Sequence, residues 1–150
     1  METNIEKKII DIAKNVLIDE SEAIKSLIST IDSEFEEIVN TILASNGKLV
    51  ISGIGKSAII AQKIVATLNS TGQKSVFMHA ADAIHGDLGI IDSNDIVMVL
   101  SKSGNTPEIK VLVPLIKRLG NKLIALVSDV DSYLGKNSDF VINAYVKSEA

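Results

Sequence analysis

The sequence predicts an α/β fold in which a doubly wound parallel sheet carries helices on both faces. Five short apolar runs alternate with helical patterns from residue 48 onward, and short links join them. This alternation is typical of parallel sheets. The composition agrees: 46% of the 150 residues are hydrophobic but only 3% are aromatic, so the core must be aliphatic. Strands that are buried on both faces are usually runs of Val, Ile and Leu.

The elements of the sheet follow from these runs and from the breaks between them. Strands are predicted over residues 48–52, 74–78, 95–100, 122–127 and 139–144. Helices are predicted between them over about residues 56–70, 107–119 and 132–136. Residues 79–91 are expected to be irregular or briefly helical. One domain is expected over residues 1–150, with residues 48–150 forming the sheet and its crossover helices.

The N-terminal part, residues 1–47, is predicted to be helical. Apolar residues three or four apart predict an amphipathic helix over residues 5–31, with a break near residues 19–21. A second helix is predicted over residues 33–45, with Ser33 as its N-cap and Asn46-Gly47 as its stop. The first helix precedes the alternating pattern, so we expect its apolar face to pack on a partner subunit or on the sheet.

Composition and charge exclude several classes of function. The formal net charge is −4 and no basic run occurs, so nucleic acid is not an expected partner. The chain has no cysteine, which rules out disulfides and thiolate chemistry. No apolar run approaches the ~18 residues of a membrane span, and the N-terminus lacks the layout of a signal peptide. We therefore expect a soluble, cytoplasmic protein without a membrane contact.

A glycine turn follows the first predicted strand, in the stretch Gly53-Ile-Gly-Lys-Ser-Ala58. A strand that runs through glycines into a helix leaves backbone N–H groups and the positive end of the helix dipole facing one spot, which suits phosphate. Lys56 adds a full positive charge there, and Gly55 and Ser57 flank it.

Two nucleotide-binding alternatives fit this glycine turn poorly. A dinucleotide site needs an acidic residue after the second strand, where His79-Ala-Ala stands and Asp82 comes too late. A P-loop needs glycine where Val50 stands. No cofactor is therefore predicted.

A second phosphate-type loop follows the third predicted strand. Ser101, Ser103 and Thr106 place three hydroxyls around Gly104, directly before a predicted helix. A helix cap alone would explain one hydroxyl, with Thr106 as the N-cap, but hardly three. Glu108 lies in the first turn of that helix, where the dipole stabilises a carboxylate whether or not it has a function.

Further polar residues follow other strands. The two histidines of the chain, His79 and His85, bracket a segment after the second strand, and Asp87 follows closely. His85 is the better candidate for ligand contact, since His79 directly follows a strand. Two histidines and one aspartate are weak support for a metal, and none is predicted. Lys147, Ser148 and Glu149 follow the fifth strand, at the edge where α/β crevices lie.

Together these motifs resemble the arabinose-5-phosphate isomerases of the sugar isomerase (SIS) domain family. The motifs are Gly53-Ile-Gly-Lys-Ser57, His85-Gly-Asp-Leu-Gly89, Ser101-x-Ser-Gly-x-Thr106 and Lys147-x-Glu149. The resemblance implies a flavodoxin-like sheet of order 2-1-3-4-5 and a homotetramer. It implies that the protein interconverts D-ribulose 5-phosphate and D-arabinose 5-phosphate, as a step in the synthesis of lipopolysaccharide or capsule. It also implies catalytic roles for Lys56, Glu108, Glu149 and His85, and a substrate site formed by Gly55, Ser57, Ser101, Ser103, Gly104, Asn105 and Thr106.

The chemistry of isomerisation fits these residues, but it stays open which glutamate is the base and whether the domain is catalytic at all. An enediol(ate) pathway needs a base, which Glu108 or Glu149 could provide, and a cation such as Lys56 for the developing oxyanion. A non-catalytic SIS module that binds a phosphosugar and regulates a partner is the main alternative, followed by a lyase or another isomerase. The family continues beyond Glu149 with a further catalytic histidine and often with paired CBS modules, so residues 1–150 alone are expected to isomerise poorly.

Overall fold

The fold is a five-stranded parallel sheet of order β2-β1-β3-β4-β5, as predicted. The computed structural model describes residues 2–146, and for residues 2–7 it describes the backbone only. The strands are β1 (Leu49–Gly53), β2 (Ser75–His79), β3 (Ile96–Leu100), β4 (Lys122–Val127) and β5 (Phe140–Asn143). The predicted strand bounds differ from these by one residue or less at each end.

Helices connect the strands and precede the sheet. They are α1 (Glu2–Ser26), α2 (Ser33–Ala44), α3 (Lys56–Ser70), α4 (Ala80–Ile84), α5 (Pro107–Leu119) and α6 (Tyr133–Asn137). Short 3-10 helices cover Leu27–Thr30 and Asp87–Ile90. The bounds of α3 and α5 are those predicted from the sequence. Within residues 2–146, no helix combines the length and the apolar character that crossing a membrane requires.

Two apolar clusters cover the two faces of the sheet. One joins β1, β3 and β4 to α4, α5 and α6, through residues such as Val50, Val97 and Ile109. The other joins the same strands to α2 and α3, through Ile38 and Ala61. All five residues of the central strand β3 are buried. The described buried core is aliphatic with two methionines, in agreement with the composition.

The N-terminal helices differ from the prediction in two details. The break expected near residues 19–21 was wrong, because α1 runs unbroken to Ser26 and the Ser21 hydroxyl donates to the Ile18 carbonyl within the helix. The N-cap of α2 is Asp32, not Ser33. Its carboxylate accepts hydrogen bonds from the backbone N–H groups of Glu34 and Phe35. Asp and Ser are both good N-caps, so the sequence alone did not separate them.

The outer edge of β5 is held by the segment that joins α1 to α2. The backbone N–H of Val141 donates to Glu34 Oε1 at 2.8 Å, and Thr30 Oγ1 donates to the Asn143 carbonyl at 3.1 Å. Residues Phe140–Asn143 are all half-buried. These side chains satisfy backbone groups that an edge strand otherwise leaves open to other chains.

A buried aspartate connects the segments that precede β1 and β3 at the amino edge of the sheet. Asp95 is 4% exposed and accepts hydrogen bonds from the Lys48 ammonium, the Lys48 backbone N–H and the Asp92 backbone N–H. Burial alone would raise the pKa of Asp95, but these hydrogen bonds, that from Lys48 first, hold its pKa below the ordinary 3.8. Hydrogen bonds to Asp92 and Asp95 raise the pKa of Lys48 above its ordinary 10.5.

We expect Asp95→Asn to lower the free energy of unfolding by about 2–4 kcal/mol, because the amide leaves the Lys48 ammonium and the Asp92 N–H without their acceptor. Asp92→Asn is the matched control. Asp92 also contacts Lys48, but its side chain is 81% exposed, so we expect a loss below about 1 kcal/mol. Equal losses in the two variants, measured by urea unfolding, would contradict this assignment.

The ion pair of Lys48 and Asp95 predicts how the free energy of unfolding depends on pH. The pKa of Asp95 is depressed in the folded state, so its contribution is present above 3.8 and is lost as the pH falls through the folded value. The pKa of Lys48 is raised, so its contribution is present below 10.5 and is lost as the pH rises through the folded value. The difference in the free energy of unfolding between wild type and Asp95→Asn should therefore be constant near neutral pH and shrink at low and at high pH.

Candidate functional site

The predicted site residues within the described chain lie in the segments that follow β1, β2 and β3, at the carboxyl edge of the sheet. Gly53 of β1 pairs with His79 of β2 on one side and with Leu100 of β3 on the other, so the segments after these strands leave the sheet side by side. This is the point at which the strand order reverses, where α/β folds place their ligands. A crevice of about 530 Å³ opens there. Four predicted residues line it: Ser57, Ser101, Ser103 and Thr106.

The glycine turn, residues 53–56, brings the start of α3 to this crevice. Gly55 is the N-cap of α3 with φ +58, a conformation that favours glycine. Gly53 is favoured for another reason, since a Cβ there would lie only 3.0 Å from the Ser57 backbone. No side chain caps α3, so its first N–H groups are left for another acceptor. Lys56 is exposed at the same helix start.

The serine loop, residues 101–106, forms the other wall of the crevice. Ser101 is buried, and its hydroxyl accepts a hydrogen bond from the Gly104 N–H at 3.1 Å. The Ser103 hydroxyl accepts one from the Asn105 N–H at 3.3 Å. Gly104 has φ +62, again a conformation that favours glycine. Internal hydrogen bonds thus fold the loop tightly in front of α5.

Thr106 stands at the N-cap position of α5, as predicted, but its side chain makes no capping hydrogen bond. Its Oγ1 is buried and has no hydrogen-bond partner in the described part of the chain. A buried hydroxyl without a protein partner is costly, so such a group at a crevice is a candidate donor to a ligand. Ser52 Oγ, one residue before the glycine turn, is also buried without a partner there.

The predicted acid–base residues are distributed around this edge. Glu108 is half-buried in the first turn of α5, two residues after Thr106. His85 is exposed at the C-terminal end of α4. Glu149, with Lys147 and Ser148, lies outside the described residues. The structure therefore places Lys56 and Glu108 at the starts of two helices that follow neighbouring strands.

His79 is placed differently from His85. It ends β2, its ring packs edge-on against Phe77 at 6.2 Å between centroids, and its Nδ1 is 3.7 Å from a carboxylate oxygen of Asp82. That distance is too long for a hydrogen bond. Among the described residues, no three His, Asp or Glu side chains come together in a way that could hold a metal ion.

Sequence reasoning missed several residues that line the crevice, among them Ser128, Asp129 and Tyr145. Ser128 and Asp129 directly follow β4, and Tyr145 comes two residues after β5. Their positions after predicted strands could have identified them, because the carboxyl ends of parallel strands meet at one edge. A larger cavity, of about 680 Å³, lies at the opposite edge beside α2 and Asp95. It contains none of the predicted site residues.

Comparison with known proteins agrees with this geometry. A probable arabinose 5-phosphate isomerase of Haemophilus influenzae is 44% identical over 138 residues, which are 92% of this chain and 41% of that protein. The arabinose 5-phosphate isomerase KdsD of Pseudomonas aeruginosa is 44% identical over 131 residues, 87% of this chain and 40% of that protein. The chain thus spans less than half the length of these curated relatives.

A solved structure gives the same result for the fold. A protein of E. coli CFT073, solved in complex with arabinose 5-phosphate, has a TM-score of 0.90 and 38% identity. The match covers 95% of this chain and 76% of that one. A model of the SIS domain matches residues 42–150, which include the whole sheet and both phosphate-type loops. The chain therefore belongs to the SIS domain family.

Proposed function

We propose that this chain is the phosphosugar-binding and catalytic domain of an aldose–ketose isomerase that interconverts D-ribulose 5-phosphate and D-arabinose 5-phosphate. The observation that carries the proposal is the serine loop, in which the buried Thr106 hydroxyl has no partner in the described chain and Glu108 follows two residues later. Relatives named as arabinose 5-phosphate isomerases support it, as does a structural neighbour solved in complex with arabinose 5-phosphate.

The phosphate would bind between the serine loop and the start of α3. The hydroxyls of Ser101, Ser103 and Thr106 can donate to its oxygens. Ser57, in the uncapped first turn of α3, lines the same crevice, and Lys56 directly precedes it. The sugar then extends from this grip toward the acid–base residues. Binding energy from the phosphate can thereby be used at the reacting carbons.

The reaction moves one proton between adjacent carbons. A carboxylate removes the proton from C2 of the aldose, while the aldehyde oxygen gains a proton to give the enediol. The proton then returns to C1 as the C2 hydroxyl becomes the carbonyl of the ketose. We assign the base to Glu108 or Glu149, stabilisation of the oxyanion to Lys56, and a contact with the sugar hydroxyls to His85. No cofactor is needed for these steps.

The assembly, the compartment and the pathway of the enzyme are proposed from its similarity to arabinose 5-phosphate isomerases. We propose a homotetramer with phosphosugar as its small-molecule partner, located in the cytoplasm and serving lipopolysaccharide or capsule synthesis. The exposed apolar face of α1 supports assembly between copies of the chain. The assembly, the compartment and the pathway stay predictions.

We expect Ser103→Ala and Thr106→Val each to weaken binding of D-arabinose 5-phosphate by roughly 1–3 kcal/mol, because each removes a donor to a charged acceptor. The measurement is isothermal titration calorimetry on the 150-residue chain. Thr67→Val is the matched control, since the Thr67 hydroxyl donates to the Lys63 carbonyl within α3, far along the helix from its start. Unchanged affinity in both loop variants would remove the serine loop from the site.

A turnover assay separates the enzyme from the non-catalytic alternative. Conversion of D-arabinose 5-phosphate to D-ribulose 5-phosphate is measured for this chain and for a longer form that includes the residues found in its relatives. Turnover by the longer form supports the isomerase. Tight binding with no turnover by either form would support a phosphosugar-binding module instead.

A further inference from the structure

The first turn of α6 supports the serine loop from outside the crevice. The Tyr133 N–H donates to Asn105 Oδ1 at 3.0 Å, and the Leu134 N–H donates to the Gly104 carbonyl at 3.0 Å. Ser132, which is 2% exposed, lies directly against the Cα of Gly104, so that no Cβ would fit there. The loop is therefore held by a segment about 28 residues later in the chain.

The side chain of Asn105 joins these two segments. Its Nδ2 donates to the Ser103 carbonyl at 2.9 Å while its Oδ1 accepts from Tyr133, so the amide fixes the distance between the loop and α6. Its backbone N–H also donates to the Ser103 hydroxyl. The Asn105 amide thus makes one hydrogen bond as a donor within the loop and one as an acceptor from α6.

We propose that Asn105 is a positioning residue, which fixes the serine loop against α6 so that the Ser103 and Thr106 hydroxyls are preorganised for an anion. This inference rests on the proposed function, in which these hydroxyls bind phosphate. Ordering a loop when a ligand arrives costs conformational entropy, and a loop that is already ordered avoids that cost. Asn105 is predicted from its motif to touch the substrate; here its role is instead to position the hydroxyls that do.

The position of Asn105 makes the inference testable. Its side chain is exposed, so removing the amide should cost little global stability, as for most surface substitutions. A structural role in the whole domain would instead lower the unfolding temperature. Affinity for an anion and global stability can therefore be separated in one variant.

The test compares Asn105→Ala with Asn137→Ala in the 150-residue chain. Asn137 is the matched control, because its Nδ2 donates to the Tyr133 carbonyl within α6 and not to the serine loop. Inorganic phosphate and D-arabinose 5-phosphate are titrated by calorimetry, and thermal unfolding is followed by circular dichroism. We expect Asn105→Ala to bind both ligands about tenfold more weakly, by the same factor for each, with an unchanged unfolding temperature. Asn137→Ala should bind both as the wild type does.

Each outcome decides a separate point. Wild-type affinity in Asn105→Ala, or an equal loss in Asn137→Ala, would overturn the inference. A loss for D-arabinose 5-phosphate but not for inorganic phosphate would also overturn it, since Asn105 would then contact the sugar. A wild type that binds phosphate but not D-arabinose 5-phosphate would contradict the proposed substrate and leave the inference supported by the phosphate data. A wild type that binds neither would contradict both.

Discussion

Replacing Glu108 by glutamine is expected to lower kcat for D-arabinose 5-phosphate by roughly 10²- to 10⁴-fold, the usual scale of general acid–base catalysis. Substrate affinity should change only a few-fold, because glutamine has nearly the same shape and the phosphate grip is untouched. The expectation follows from the position of Glu108, half-buried in the first turn of α5 beside Thr106. The measurement is steady-state kinetics on a form of the protein that turns over this substrate.

The control for this variant is Glu36→Gln, which makes the same change in the first turn of α2, away from the crevice. It should leave kcat unchanged. The assignment of the base is decided by comparison with Glu149→Gln. If Glu108→Gln turns over normally while Glu149→Gln is inactive, Glu108 is not the base.

Deleting residues 1–30 is expected to change the assembly of the protein from a tetramer to a smaller species. Among the described side chains of α1, residues 8–26, none is buried, and Ile9, Leu17 and Ile24 are each more than 60% exposed. Covering one such side chain contributes about 1.5–3 kcal/mol, so a face of this size favours association strongly. Light scattering with size-exclusion chromatography measures the change.

Because the deletion also removes Thr30 from the edge of β5, a point variant gives a cleaner test. Leu17→Glu combined with Ile24→Glu places two charges on the apolar face of α1 and leaves Thr30 in place. The matched control is Val111→Glu, since Val111 is 49% exposed on α5, on the opposite face of the sheet from α2. A deletion or double variant that still runs as a tetramer would show that α1 does not hold the assembly.

The sheet could be predicted from the sequence because local signals were sufficient for it. Each strand is an apolar run between breaks, and a buried strand such as Ile96–Leu100 has no other simple interpretation. Pro107 and Gly120 mark the ends of α5, since proline suits a first turn and Gly120 takes up the left-handed conformation. The order of the strands came from the resemblance to a family, because apolar runs alone do not state which strand lies beside which.

Features that depend on distant contacts could not be predicted in the same way. Gly47 was expected to stop α2, but what requires glycine there is the backbone of Asn94, which lies against its Cα. Asn105 is predicted to touch the substrate, and that stays a prediction; the structure adds that its amide also bonds to the Ser103 carbonyl and the Tyr133 N–H. Each position has a partner tens of residues away, Asn94 for Gly47 and Tyr133 for Asn105, and no local pattern indicates it.

The candidate site was predicted in part, for a similar reason. Hydroxyls and glycines before a helix form a local pattern, so Ser57, Ser101, Ser103 and Thr106 were identified, and all of them line the crevice. Asp129 and Tyr145 line it too, but they carry no motif, and only their positions after the predicted fourth and fifth strands could have indicated them. What each of these residues does with a ligand stays a prediction.

The contact between the serine loop and α6 has a consequence for the order of folding. The loop cannot reach its final form until β4 has been added beside β3 and the Tyr133 and Leu134 N–H groups have arrived. If this loop binds phosphate, as proposed, a partly folded chain has no complete site even when β1, α3 and β3 are in place. On that proposal phosphate would bind only the completed domain and would, by mass action, stabilise the folded state relative to partly folded chains.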